Sequence, residues 1–155
     1  IDEARDLLER ALSQYRQCAD AYGQVDVLYK LADWRAAQGE VDRAREIGEE
    51  AYALAEQHGF TRWEIYLLWL LGDLDLRQGD RLGLNVLAYA VVRAVQLGDA
   101  ERIERALERV QRVIQAARTT GDDGIAHELR EQVLTVWRDP DWANVMADQI
   151  AQFDG

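Results

Sequence analysis

Apolar residues recur at every third or fourth position along most of the chain, the spacing that places them on one face of an α-helix. The first segment has apolar side chains at Ala4, Leu7, Leu8, Ala11, Leu12 and Tyr15. Two stretches, 65–72 and 82–97, are apolar almost throughout, yet both are shorter than the roughly 18 residues that indicate a membrane span. The pattern predicts an all-α protein with two buried central helices.

Glycines divide this pattern at regular intervals. Outside the apolar segments they stand at Gly23, Gly39, Gly59, Gly79, Gly98 and Gly121, spaced by 16, 20, 20, 19 and 23 residues. Glycine adopts the left-handed conformation that ends many helices. Aspartates, which favour helix starts, follow three of them at Asp80, Asp99 and Asp122. The spacing therefore predicts helices of somewhat under 20 residues joined by tight turns.

The segments between these stops are the predicted elements. We predict a helix over 1–22, helix pairs over 24–58, 61–97 and 99–137, and a short helix over 139–153, all in one domain over 1–155. Because the pattern is already under way at Ile1, 1–22 is expected to be the second helix of a truncated repeat. The last helix has an apolar stripe, interpreted as a cap on the core or as a docking helix: Trp142, Val145, Met146, Ile150 and Phe153.

Helix pairs repeat at an offset of 40 residues. The segment 31–40 aligns with 71–80 without a gap, and 1–5 aligns with 41–45 at the same offset. A third copy, within 99–137, is weaker and lies two residues out of step. Two separate segments that share one offset indicate a repeat protein.

This repeat resembles the tetratricopeptide repeat family. The family's apolar, small and turn positions are matched by Leu28, Leu31, Ala32 and Gly39, and again by Leu68, Leu71, Gly72 and Gly79. The resemblance implies antiparallel helix pairs stacked into a right-handed superhelix. The period is longer than the common one of about 34 residues and closer to that of long-period bacterial repeats. Arg35, Asp75 and Ala117 depart from the family, since they stand where it has tyrosine.

In this family the first helix of each pair lines a concave groove where ligands bind, and the resemblance carries that role to particular positions. Those positions are Asp26, Tyr29, Lys30 and Asp33, then Tyr66, Trp69, Leu70, Asp73 and Arg77, then Glu108, Gln111, Arg112, Gln115 and Arg118. Exposed aromatic residues beside carboxylates suit a peptide with apolar anchors and basic residues. The alternative is that Tyr66 and Trp69 lie in the core.

Composition narrows the class of partner. Lysine and arginine total 18 against 29 acidic residues, a net charge of −11, which disfavours nucleic acid and anionic membranes. One basic face is present, but its arginines alternate with glutamates at i,i+4, so a solvated face is favoured over an RNA site: Arg102, Arg105, Arg109 and Arg112. The single cysteine, Cys18, excludes an intramolecular disulfide and fits the cytoplasm.

The sequence has no recognisable pattern of catalytic or metal-ligating residues. There is no glycine-rich phosphate loop, and the one lysine, Lys30, stands in a predicted helix. His58 and His127 lack the second histidine of a zinc motif, and Cys18 has no base or second thiol near it in sequence. We therefore predict no catalytic residue, no cofactor and no metal site, and a protein that is not an enzyme.

Together these patterns predict a scaffold or regulatory module that binds a protein or peptide, as part of a larger signalling protein. The alternative is a structural solenoid that forms homo-oligomers through its terminal faces and has no peptide ligand.

Overall fold

The computed structural model describes residues 2–98 and 100–136, together with Asp148 and Ala151. Within 2–98 and 100–136 the chain forms seven helices and no strand, so the all-α prediction is confirmed. They are α1 (Asp2–Gln17), α2 (Ala21–Ala37), α3 (Val41–His58), α4 (Thr61–Arg77), α5 (Leu82–Leu97), α6 (Ala100–Thr119) and α7 (Ile125–Val136). The predicted last helix over 139–153, with its stripe from Trp142 to Phe153, lies outside the described residues apart from Asp148 and Ala151.

The turns between helices contain a left-handed residue at a nearly constant interval. Positive φ angles occur at Ala19 (55°), Gly39 (81°), Gly59 (69°), Gly79 (76°), Gly98 (71°) and Gly121 (83°). The helix stops predicted at the last five positions are therefore confirmed. The prediction that Gly23 ends a helix is wrong, because Gly23 is buried inside α2 and Ala19 takes the left-handed position instead.

The start of α2 explains why a glycine stands at position 23. A β-carbon there would overlap the Tyr15 ring of α1, so only glycine lets the ring pack directly on the backbone of α2. Asp20 caps the same helix, and its Oδ1 accepts a hydrogen bond from the Gly23 backbone N–H at 3.0 Å. The start of α5 also differs from the prediction, because α5 begins at Leu82 and its N-cap is Arg81, not Asp80.

The chain divides into two compact units, Ile1–Asp80 and Arg81–Gly155. In the first unit α2 packs against α1, α3 and α4, and α3 packs against α4. Its core is formed by side chains that are almost fully buried: Leu12, Val25, Leu28, Leu31, Ile47, Leu67 and Leu74. The small residues that allow close helix approach are buried as well, Ala32 and Ala44 among them.

In the second unit α5 packs against α6 and α7. Its buried residues include Leu84, Leu87 and Val91 of α5, Ile114 of α6 and Leu129 of α7. Positions at the 40-residue offset share this burial in both units, since Ala44 and Ala51 match Leu84 and Val91.

Arg81 joins the start of α5 to the turn before α7 and to α7 itself. Its Nη1 donates to Asp122 Oδ2 at 2.6 Å, and its Nη2 lies 2.8 Å from Glu128 Oε1. The Arg81 guanidinium holds the pKa of the Asp122 carboxyl below its usual value, and the Gly124 backbone N–H adds to this effect.

Across the described residues, no helix combines the length and the apolar character that a bilayer crossing requires.

Candidate functional site: an aromatic row on α2 and α4

Four aromatic side chains alternate between α2 and α4 and form a continuous row. Ring centroids are 6.0 Å apart for Tyr22 and Trp63, 5.5 Å for Trp63 and Tyr29, and 6.4 Å for Tyr29 and Tyr66. We call these four residues the aromatic row. Phe60 extends it at one end, with its ring 5.4 Å from Tyr22.

Helical spacing and the contact between the two helices together build this row. Tyr22 and Tyr29 are seven residues apart and so share one face of α2, while Trp63 and Tyr66 are three apart on α4. Because α2 packs against α4, the two pairs meet between the helices. Each edge-to-face or tilted ring contact adds about 0.5–1.5 kcal/mol beyond area burial, so the row is held firmly.

Exposure differs along the row. Tyr22 is 58% exposed, whereas Tyr29, Trp63 and Tyr66 are half-buried. Trp69 contacts Tyr66 at a centroid distance of 5.5 Å but is only 2% exposed. The row therefore offers an accessible aromatic surface that does not include the Trp69 ring.

Other residues predicted to line the groove are placed differently. Leu70 is buried and belongs to the core of the first unit, not to its surface. Of the two alternatives for Trp69, its burial favours a core position, while Tyr66 remains partly accessible. Gln111, Arg112 and Gln115 are exposed on α6, in the second unit, whereas the row lies within the first.

Carboxylates occur on the same faces as the rings. On α2, Asp26 and Asp33 alternate with the two tyrosines, and on α4 Asp73 follows Tyr66 by seven residues. Lys30 Nζ lies 2.8 Å from Asp26 Oδ2, and Arg77 Nη2 lies 2.8 Å from Asp73 Oδ2. Asp33 is exposed and makes no ion pair with any residue that the structure describes.

Tyr22, Phe60 and Trp63 were missed as site residues. The reason for Tyr22 is the helix boundary: reading Gly23 as a stop assigned Tyr22 to the preceding helix, although α2 begins at Ala21. The signal that could have found Tyr22 and Trp63 is spacing, since Tyr22 precedes Tyr29 by seven residues and Trp63 precedes Tyr66 by three.

A cavity of about 230 Å³ lies between α1, α2 and α3 on a floor of Leu12, Leu28, Leu31 and Ile47. Each arginine of its rim is already close to a glutamate: Arg16 to Glu50 at 2.6 Å, Arg35 to Glu40 at 2.8 Å and Arg43 to Glu46 at 2.6 Å. A charged ligand would have to displace these pairs, so the cavity is a weaker candidate than the aromatic row.

The described residues contain no group of three or more histidine, cysteine, aspartate or glutamate side chains placed to hold a metal ion. His58 stacks on Phe60 with a centroid distance of 5.5 Å, and Cys18 is exposed with a free thiol. The aromatic row and the aspartates beside it can offer apolar contact, stacking of cations on ring faces, and charge pairing.

Comparisons of the chain with protein-family models, curated proteins and solved structures found no match.

Proposed function

We propose that the chain is a protein-interaction module that binds a peptide or protein segment on the face shared by α2 and α4. The observation that carries this proposal is the aromatic row of Tyr22, Trp63, Tyr29 and Tyr66, partly accessible and accompanied by aspartates. In this proposal the module is a regulatory scaffold within a larger cytoplasmic signalling protein.

Tyrosine and tryptophan are the residue types that contribute most to binding at protein interfaces, because they bury a large area at low cost in side-chain entropy. The rings of the row already contact one another, so binding would order few additional side chains. The aspartates beside them and the net charge of −11 favour a basic partner over an acidic one.

The resemblance to tetratricopeptide repeats supports the same face. In that family, neighbouring first helices line the ligand groove, and α2 and α4 hold the corresponding positions at the 40-residue offset. Direct packing of α2 on α4, with the row along the contact, fits such a groove. We propose accordingly that the helix pairs stack as a right-handed superhelix.

Selection from a random peptide display library, followed by calorimetric titration of the selected peptides, tests the proposal. We expect Tyr29→Ala and Trp63→Ala to weaken binding by about tenfold or more, the size of an interface hot spot. Tyr89→Ala is the matched control, because Tyr89 is an exposed tyrosine of the second unit. Equal binding by all three variants would place the ligand elsewhere.

Light scattering across protein concentrations separates this function from structural self-association. A monomer that binds selected peptides supports the proposal. A homo-oligomer that binds no selected peptide would contradict it and favour the structural alternative.

A further inference from the structure

We infer that the ligand of the α2–α4 face is an amphipathic α-helix with apolar and basic side chains alternating along one face, an inference that rests on the proposed function. The first observation is the order of side chains on α2. Rings and carboxylates alternate along one face of this helix, at steps of four, three and four residues: Tyr22, Asp26, Tyr29 and Asp33. One step of four and one of three make a seven-residue repeat, which is the repeat of contact positions where two helices pack side by side.

The positions of these side chains along the axis match a helical ligand at every step. With a rise of about 1.5 Å per residue, the second, third and fourth side chains stand about 6, 10.5 and 16.5 Å from the first. A ligand helix nearly aligned with α2 places its own residues i, i+4, i+7 and i+11 at the same distances and on one face. A β-strand repeats its face every 6.6 Å or so, which puts its fourth side chain at about 20 Å. A polyproline II helix repeats an edge at about 9.3 Å, so one edge would meet the rings or the carboxylates but not both.

The pair of α2 and α4 already accommodates a helix on its other side. α3 packs against both of them, and they also contact each other. Leu31 of α2 faces the cavity between α1, α2 and α3. Asp33 follows two residues later, about 200° around the helix, and is exposed. The face with the alternating rings and carboxylates is therefore turned away from that cavity, and a helix lying on it would be packed by α2 and α4 as α3 is.

The chemistry of the face gives the ligand helix its two kinds of side chain. Trp63 and Tyr66 of α4 add rings at 5.5 Å and 6.4 Å from Tyr29, so apolar side chains of the ligand meet rings from both helices. Basic side chains one heptad apart meet Asp26 and Asp33. The Nζ of Lys30 lies 2.8 Å from Asp26 Oδ2, but its side chain is more than half exposed, so this pair is weak enough to be displaced.

Charge complementarity indicates that the occupant belongs to another protein. The segment 139–155 has an apolar stripe, but it carries four aspartates and no lysine or arginine, so its charge has the same sign as that of the face. On α6, Arg105 and Arg112 each follow a glutamate by four residues, so this helix of a second copy would bring acidic side chains along with the basic ones. We therefore assign the face to a basic amphipathic helix of a different chain.

Synthetic peptides of three heptads test the inference by fluorescence anisotropy with the whole chain. In the patterned peptides arginine and leucine alternate at steps of four and three residues, with alanine and glutamine elsewhere, and both orders are made, one for each direction of the ligand helix. One control moves the arginines to the opposite face without changing the composition, and another replaces a central alanine with proline, which breaks the helix. We expect the better patterned peptide to bind about tenfold more tightly than either control. Equal binding by either control would overturn the inference.

The conformation of the bound peptide is measured directly by NMR. With a patterned peptide labelled with carbon-13, the Cα chemical shifts of the central residues should move to helical values when the chain is added. Shifts typical of an extended peptide in the bound state would contradict a helical ligand.

A charge-removing variant tests the pairing of basic side chains with the aspartates. Asp33→Asn should weaken binding of the patterned peptide several-fold, and the effect should disappear when citrulline, which is neutral, replaces arginine in the peptide. Glu104→Gln on α6 is the control of equal charge change, since Glu104 is exposed in the second unit. If Glu104→Gln weakened binding as much as Asp33→Asn does, the effect would be one of net charge and the pairing would be wrong.

The outcomes for the inference and for the proposed function are separable. If peptides selected from the library bind and depend on Tyr29 while no patterned peptide does, the inference fails and the proposed function stands. If the chain alone self-associates and Asp33→Asn dissociates it, the occupant is a second copy and the inference fails. If no peptide of either kind binds, both fail.

Discussion

Arg45 Nη2 of α3 lies 2.6 Å from Asp75 Oδ1 of α4, whereas the position of α2 equivalent to Asp75 carries the opposite charge. At the 40-residue offset Asp75 corresponds to Arg35, whose Nη2 lies 3.9 Å from Glu9 Oε1 on α1. The acidic partner is thus on α4 in one pair and on α1 in the other. If α2 took the place of α4, Arg35 would stand opposite Arg45, so the charge at this position disfavours that exchange.

Reversing Arg45 and Asp75 one at a time and then together tests this relationship. The two side chains are 28% and 17% exposed, so Asp75→Arg, which sets two arginines against each other, should lower the free energy of unfolding by about 2 kcal/mol. Adding Arg45→Asp should restore a large part of that loss. Urea denaturation of the two single variants and the double variant gives the coupling energy.

A matched control is the exposed pair of Arg43 and Glu46, whose side chains are 59% and 65% exposed. Reversing one member of that pair should change the free energy of unfolding by about 0.5 kcal/mol or less. A double variant at 45 and 75 no more stable than Asp75→Arg alone would show that the polarity of the pair is irrelevant.

Ala19 is the one residue other than glycine with a positive φ among those described, at 55°. Replacing it with glycine should raise the free energy of unfolding by about 0.5–1 kcal/mol, because glycine adopts this conformation without steric cost. Ala53→Gly, at an exposed site inside α3, should lower it by about 1 kcal/mol. Chemical denaturation of both variants is decisive, and a loss of stability in Ala19→Gly would refute the explanation.

Because Trp69 is buried, we expect its ring to stabilise the folded state. Trp69→Ala should lower the free energy of unfolding by about 3–5 kcal/mol, the usual cost of deleting a buried aromatic side chain. Tyr22→Ala, at a site 58% exposed with two ring contacts, should cost less, about 1–2 kcal/mol. Melting curves followed by circular dichroism compare the two variants. An unchanged melting temperature for Trp69→Ala would show that its ring does not belong to the core.

The pair of Arg81 and Asp122 makes a pH-dependent contribution to stability. Because Arg81 lowers the pKa of Asp122 in the folded protein, the unfolded chain binds the proton more tightly. The contribution is therefore present above the unfolded value, near 3.8, and is lost as the pH falls through the lower folded value. NMR titration should show the pKa of Asp122 rising toward 3.8 in Arg81→Ala and staying low in Arg43→Ala.

The helices were predictable because their apolar periodicity is long and regular, and five of the six left-handed turn positions were predictable because glycine occupies them. Ala19 was not, since alanine favours helices and gives no sign of a positive φ. That one residue displaced the predicted start of α2 and with it the assignment of Tyr22.

The aromatic row was predictable only in part. The resemblance pointed to Tyr29 and Tyr66, which do contact each other, with centroids 6.4 Å apart. It could not separate Tyr66 from Trp69, because two residues three positions apart lie on nearly the same helix face and only the neighbouring helices decide which is covered.

Glycine serves two different purposes in this chain, and mutational tolerance should separate them. At Gly39, Gly59, Gly79, Gly98 and Gly121 a β-carbon would meet no other group within 4 Å, so only the sign of φ restricts the residue. A D-alanine introduced there by chemical synthesis would have the preferred dihedral angles. At Gly23 the backbone is helical, so a D-residue would not be favoured there. An L-residue is excluded too, because the Tyr15 ring occupies the space that its β-carbon would need. Glycine is thus required at the five turn positions by the sign of φ, and at position 23 by the lack of space for a side chain.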